Sequence, residues 1–145
     1  MRLVINESGL STFKRRASRV YPREIYGILL GKKLKNSTYK VLKIVIPPVV
    51  ESTYDYVIPD YNEIERIVFS SGLDYIGSIH SHPQAAPTVS AHDYQYWDKN
   101  KDEVVGILSI RKRNSYKVTE LKSGGKIHPY RLNLRHSSQM ENDDM

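Results

Sequence analysis

With 145 residues, 39% of them hydrophobic and 26% charged, the chain has the composition of one globular domain. Its lack of cysteine excludes a disulfide framework and a cysteine-bound metal, and its lack of a signal-peptide pattern or a membrane-length apolar run predicts a soluble, cytoplasmic protein. The net charge of +6 is spread along the chain without an aromatic-interleaved basic patch, so membrane binding is not expected and nucleic-acid binding stays only an alternative hypothesis.

Hydrophobic periodicity predicts the elements of the first half of the chain. In chain order these are a strand at 2–6, a helix from Ser8 or Ser11 to about Arg19, strands at 24–30 and 38–46, and a helix at 62–71. Pro22 ends the first helix, and Pro47 with Pro48 ends the third strand, because proline lacks a backbone N–H. Gly72 closes the second helix, whose inward face is predicted to carry Ile64, Ile67 and Val68.

The second half is predicted to continue the sheet. Its elements are a buried strand at 75–80, a loop at 84–89, a short helix at 91–100, and strands at 104–110, 116–121 and 127–134. The polar tail at 135–145 is predicted to be disordered, which leaves one domain at 1–134. This order of elements predicts an α+β fold with a curved, mostly antiparallel sheet and helices packed against it.

Three residues around Pro83 have spacings that suit a metal ion. Side chains on a strand alternate between its faces, so His80 and His82 project from the same side. Ser90 is predicted to cap the short helix, and Asp93, three residues later, then lies on its first turn. Two imidazoles and one carboxylate from two rigid elements leave a fourth tetrahedral position for water, which is the design of a catalytic zinc site.

Each fragment alone has a simpler interpretation. A His-x-His pair is more often a solvated strand end, and Ser-x-x-Asp is most often an ordinary helix start. The two fragments together, at these spacings, are far more specific than either one.

The combined pattern resembles a known family. His80-Ser-His82-Pro83, followed by Ser90-x-x-Asp93, is similar to the signature of the JAMM (MPN+) metalloproteases. The family also has an upstream glutamate, and Pro22-Arg-Glu24-Ile-Tyr-Gly27-Ile-Leu-Leu-Gly31 is similar to its surroundings. The resemblance covers about residues 2–134. It implies the MPN fold, a barrel-like sheet flanked by helices, and one zinc ion per chain held by His80, His82, Asp93 and water.

The resemblance also implies roles for two catalytic residues. Glu24 would accept the proton of the attacking water and pass it to the leaving amine. The hydroxyl of Ser90 would donate a hydrogen bond to the oxyanion. The implied reaction is hydrolysis of a peptide or isopeptide bond without a covalent enzyme intermediate.

The resemblance further implies a substrate class. The chain has no room for the insertions of deubiquitinating members and is similar to compact, stand-alone prokaryotic ones. These cleave after the C-terminal Gly-Gly tail of a ubiquitin-like or sulfur-carrier protein, and a basic surface would suit an acidic partner of that kind. The alternatives are a non-catalytic MPN scaffold or interaction subunit and a basic nucleic-acid-binding domain. The sequence leaves the partner, the linkage and the oligomeric state open.

Overall fold

The computed structural model describes residues 2–35, 38–54, 56–83, 104–112, 115–123, 126–127 and 131–135. Its elements are, in chain order, β1 (Arg2–Asn6), α1 (Glu7–Val20), β2 (Tyr26–Leu34), β3 (Thr38–Val45), β4 (Val49–Ser52), β5 (Val57–Pro59), α2 (Tyr61–Ser71), β6 (Asp74–Pro83), β7 (Val104–Lys112), β8 (Ser115–Ser123), β9 (Lys126–Ile127) and β10 (Arg131–Arg135). No helix within these ranges is long and apolar enough to cross a membrane.

Eight of the strands form one mixed sheet in the order β10-β1-β3-β2-β6-β7-β8-β9. The pairings β2–β3, β2–β6, β7–β8 and β8–β9 are antiparallel. The pairings β1–β3, β1–β10 and β6–β7 are parallel. The predicted α+β class with a mostly antiparallel sheet is therefore confirmed, although sequence periodicity did not indicate the parallel pairings.

The sheet carries a hydrophobic core on each face, and β2 shows how alternation divides them. Leu29 belongs to the core under α1, whereas Ile28 and Leu30 belong to the core under α2. Helix α1 contributes Leu10, Phe13 and Ala17 to the first core. Helix α2 contributes Ile64, with Ile67 and Val68 partly buried beside it, as predicted. On its solvent side Arg66 forms an ion pair with Glu63.

The helices begin and end close to the predicted positions, but the predicted caps of α1 were wrong. Asn6, and not Ser8 or Ser11, caps α1, and its side chain accepts a hydrogen bond from the Ser8 N–H. Asp60 caps α2 in the same way. Gly72 ends α2 with a φ of 67°, the left-handed conformation that favours glycine.

Three strand predictions need correction. Strand β2 begins at Tyr26 and runs to Leu34, two residues later than predicted at its start and four later at its end. The segment after Pro48, for which no strand was predicted, forms the separate β4–β5 hairpin. The strand predicted at 127–134 is two strands, β9 and β10. The helix predicted at 91–100 and, apart from Arg135, the predicted tail lie outside the described residues.

The backbone of β7 lies close to that of β6 at Gly77. A Cβ atom there would lie 1.9 Å from the carbonyl oxygen of Val104, a backbone atom that cannot rotate away. We expect Gly77→Ala to destabilise the protein by about 1–3 kcal/mol because the strands must separate. Gly9→Ala on α1 is the matched control: its Cβ would meet only the Ile44 nitrogen at 4.0 Å, and alanine favours helix by up to about 1 kcal/mol.

Chemical denaturation checks this prediction. The unfolding midpoint should fall for Gly77→Ala and stay level or rise for Gly9→Ala, at unchanged denaturant dependence. Equal midpoints for the two variants would show that β6 and β7 are not in this close contact.

Candidate metal centre

Strand β6 brings two imidazole rings together at its carboxyl end. His80 and His82 are 6% and 5% exposed. Their Nε2 atoms are 3.0 Å apart, and the ring centroids are 4.8 Å apart with the planes inclined at 57°. The prediction that both histidines project from one face is confirmed.

Register places these histidines on the α2 face of the sheet. Tyr26 of β2 lies directly opposite His80 and belongs to the core under α2. Directly opposed residues of an antiparallel pair project to the same side, so His80 and His82 share this face. Ser81 between them projects to the α1 face and is completely buried.

Glu24 joins the histidines from the segment that leads into β2. One carboxylate oxygen and one ring nitrogen of each histidine all lie within 4.8 Å of one another, and Glu24 is 5% exposed. The backbone of Glu24 is held by the β4–β5 hairpin. Its N–H donates to the Thr53 carbonyl at 2.6 Å, and its carbonyl accepts from the Ser52 hydroxyl at 2.5 Å.

The donor set of this cluster fits a divalent cation. Without a metal, two imidazole nitrogens this close require that one carries a proton and donates it to the other. Two zinc-bound nitrogens at about 2.0–2.1 Å from the ion lie roughly 3.3 Å apart in a tetrahedral site. The observed 3.0 Å is close to that value, so a small adjustment would let both lone pairs bind one ion.

Burial gives a second reason to read the cluster as functional. Taking ionisable groups out of water is costly unless they are paired or bind a metal. Three such groups converge here, two from the end of β6 and one from the segment that leads into β2, which makes the cluster a candidate metal site.

The structure brings together Glu24, His80 and His82, three of the five residues predicted for the site. Ser90 and Asp93 lie outside the described residues, so the third protein ligand and the oxyanion donor stay predictions. Sequence reasoning did not single out Ser52, Thr53 or Ser81. Nothing in the sequence indicated that Ser52 and Thr53 lie beside Glu24.

The α+β fold and the buried cluster of Glu24, His80 and His82 together define a candidate metal-binding domain. A model of the prokaryotic homologues of the JAB domain matches residues 6–124 of the chain. The chain therefore belongs to the prokaryotic JAB family, and the resemblance to JAB/MPN domains is confirmed at that level. A comparison with curated proteins found no match.

Solved structures show the same fold. A protein from Desulfitobacterium hafniense, whose structure was determined in solution, has a TM-score of 0.77 at 17% identity, over 95% of this chain and 97% of its own. A protein from Salinibacter ruber gives 0.68 at 21% identity, over 93% and 92%. A JAB1/MPN domain protein from Archaeoglobus fulgidus gives 0.56 at 17% identity, over 92% and 99%.

Proposed function

We propose that this chain is a zinc-dependent peptidase or isopeptidase that cleaves after the C-terminal Gly-Gly tail of a ubiquitin-like or sulfur-carrier protein. The observation that carries the proposal is the buried cluster of Glu24, His80 and His82 in a member of the prokaryotic JAB family. A carboxylate beside two converging imidazoles supplies a proton acceptor next to a metal site, which is what hydrolysis of an amide requires.

The residues would divide the work of the reaction. His80, His82 and, from its motif spacing, Asp93 would hold the zinc ion. When bound, zinc lowers the pKa of a coordinated water and polarises the substrate carbonyl. Glu24 would accept the proton that the attacking water loses as its oxygen bonds to the carbonyl carbon. The same carboxyl would return the proton to the amine as the C–N bond breaks, while the Ser90 hydroxyl would stabilise the oxyanion.

We expect the Gly-Gly tail of the substrate to bind in an extended conformation beside the β4–β5 hairpin. Within the described ranges β4 pairs only with β5, which leaves its other edge available for an added strand. Apolar side chains are exposed here: Val49 is 43%, Val50 71% and Tyr54 72% exposed. Because the Ser52 hydroxyl contacts the Glu24 backbone, a chain lying along β4 would run toward the cluster.

A cleavage assay tests the function. The probes are ubiquitin and a bacterial sulfur-carrier protein, each extended by a short peptide after Gly-Gly, and the same proteins joined to a lysine side chain. Zinc-loaded protein should release the tail with the cut directly after the second glycine, measured by intact mass. Matched probes with Ala-Ala in place of Gly-Gly should resist cleavage. No cleavage of any probe by fully zinc-loaded protein would favour the non-catalytic alternative.

The hairpin edge gives a separate prediction. Val50→Glu should raise KM for the cleaved probe about tenfold with little change in kcat, because burying a valine contributes about 1.5–3 kcal/mol and 1.4 kcal/mol is tenfold. Phe69→Glu is the matched control, since Phe69 is 91% exposed near the other end of α2. Equal KM values for the two variants would place the docking surface elsewhere.

A further inference from the structure

The hydrogen bonds between β2 and β6 change character one residue before β2 begins. In a continued antiparallel ladder, Ile25 and Ser81 would exchange two backbone bonds. One is present: the Ser81 N–H donates to the Ile25 carbonyl at 3.0 Å. The Ile25 N–H, however, donates to the Ser81 side-chain hydroxyl at 2.8 Å. The hydroxyl takes the place of a backbone acceptor, and the regular ladder ends here.

Glu24, the residue immediately before Ile25, has different hydrogen-bond partners. The N–H and carbonyl of Glu24 bond to Thr53 and Ser52 of the β4–β5 hairpin. The chain thus passes from one sheet to the other between residues 24 and 25. Both backbone groups of Glu24 are held at this crossing, which leaves its carboxylate to face the histidines.

Ser81 lies where it can act on Glu24 without touching the metal. It stands between the two histidines in sequence but projects to the opposite face, where it is completely buried. Its hydroxyl bonds to the Ile25 backbone and therefore fixes the residue next to Glu24.

We propose that Ser81 and Ser52 are positioning residues that fix the Glu24 carboxylate beside the metal ligands. The proposal rests on the proposed role of Glu24 as the proton acceptor. Displacing a reacting group by about 1 Å can reduce a rate by roughly 100-fold, so two hydroxyls that set the Glu24 backbone have a measurable catalytic effect. The described hydrogen bonds of the two hydroxyls go to the backbone of Ile25 and Glu24 and not to the histidines, so metal affinity is the quantity that separates positioning from general support.

The test compares Ser81→Ala and Ser52→Ala with Ser78→Ala. Ser78 is a serine of the same strand and is also buried, at 2% exposure, but its register partners are Ile28 and Val105 and not the segment that leads into β2. Ser52, itself half-buried, lies on the β4–β5 hairpin, so its variant leaves β6 unchanged if Ser81→Ala fails to fold. The readouts are zinc affinity, kcat and KM on the Gly-Gly-extended probe, and amide exchange at residues 24 and 25.

The expected result has three parts. Zinc affinity stays within about threefold of the wild type in all variants, because the histidines remain in place. In Ser81→Ala and Ser52→Ala, kcat falls about 10- to 100-fold at unchanged KM. Amide exchange at residues 24 and 25 rises at least about tenfold relative to Leu29. Ser78→Ala matches the wild type, and adding Ser81→Ala to Glu24→Gln lowers the residual rate less than twofold.

Two results would overturn the proposal. One is a kcat within twofold of the wild type in both Ser81→Ala and Ser52→Ala. The other is loss of zinc together with activity, which would make the two serines general supports of the site. If no probe is cleaved by wild-type protein, the proposed function fails by itself, and amide exchange at residues 24 and 25 still decides whether the hydroxyls hold this segment.

Discussion

Replacing His80 and His82 together by alanine should abolish zinc binding and all hydrolysis. The two Nε2 atoms lie 3.0 Å apart and are the two nitrogen ligands of the proposed site, and a single remaining carboxylate ligand does not hold zinc tightly. Elemental analysis of the untagged wild type should give about one zinc per chain, and of the double variant none.

Thermal unfolding gives an independent measure of the loss of zinc binding in the double variant. A ligand present at about 1,000 times its dissociation constant stabilises a folded protein by about 4 kcal/mol. Added zinc should therefore raise the Tm of the wild type and leave that of the double variant unchanged.

The control replaces the two histidines that have no motif around them, His128 and His136. This variant has the same change in histidine count and should bind zinc like the wild type. Zinc retained by the His80/His82 variant would show that the metal binds at another site. A wild type that binds no zinc after reconstitution would contradict both the site and the proposed enzyme.

Local pattern was sufficient for those parts of the fold that depend on neighbouring residues. The periodicity of α2 and the alternation along β6 predicted which side chains face inward, including both histidines, and the structure agrees. The hydrophobic periodicity of a short segment shows which of its side chains face the core, and it can be read from that segment alone.

The position of Glu24 is different because it depends on pairings distant in sequence. Ile25 and Ser81, which fix it from one side, are separated by 56 residues, and the Ser52 contact is separated from Glu24 by 28. Only the family resemblance predicted that Glu24 would lie near the histidines. Sequence periodicity carries no information on which strands become neighbours.

The β4–β5 hairpin escaped prediction for a local reason. Pro48 stands immediately before β4, and Pro59 ends β5, so the strands are bounded by residues that normally interrupt a sheet. Strands of four and three residues are also too short to show a clear alternation. The hairpin is nevertheless the element that holds the Glu24 backbone, so the least predictable part of the fold lies next to the proposed chemistry.

Glu24→Gln should abolish most hydrolysis while leaving zinc in place. Glutamine has nearly the same shape but cannot accept a proton, and general base catalysis contributes about 10²- to 10⁴-fold. The hydrogen bonds to Thr53 and Ser52 involve only the backbone of residue 24, so the segment should keep its position. We therefore expect kcat on the Gly-Gly-extended probe to fall by about that factor at similar KM, which single-turnover assays measure directly.

Glu65→Gln is the matched control, because it makes the same substitution at an exposed position of α2 and should leave kcat unchanged. Zinc content separates the two roles that geometry allows for Glu24. Full zinc with a low rate identifies the proton acceptor, whereas zinc lost with the rate would identify a metal ligand. A rate within tenfold of the wild type would exclude both roles, and the base would then have to lie outside the Glu24–His80–His82 cluster.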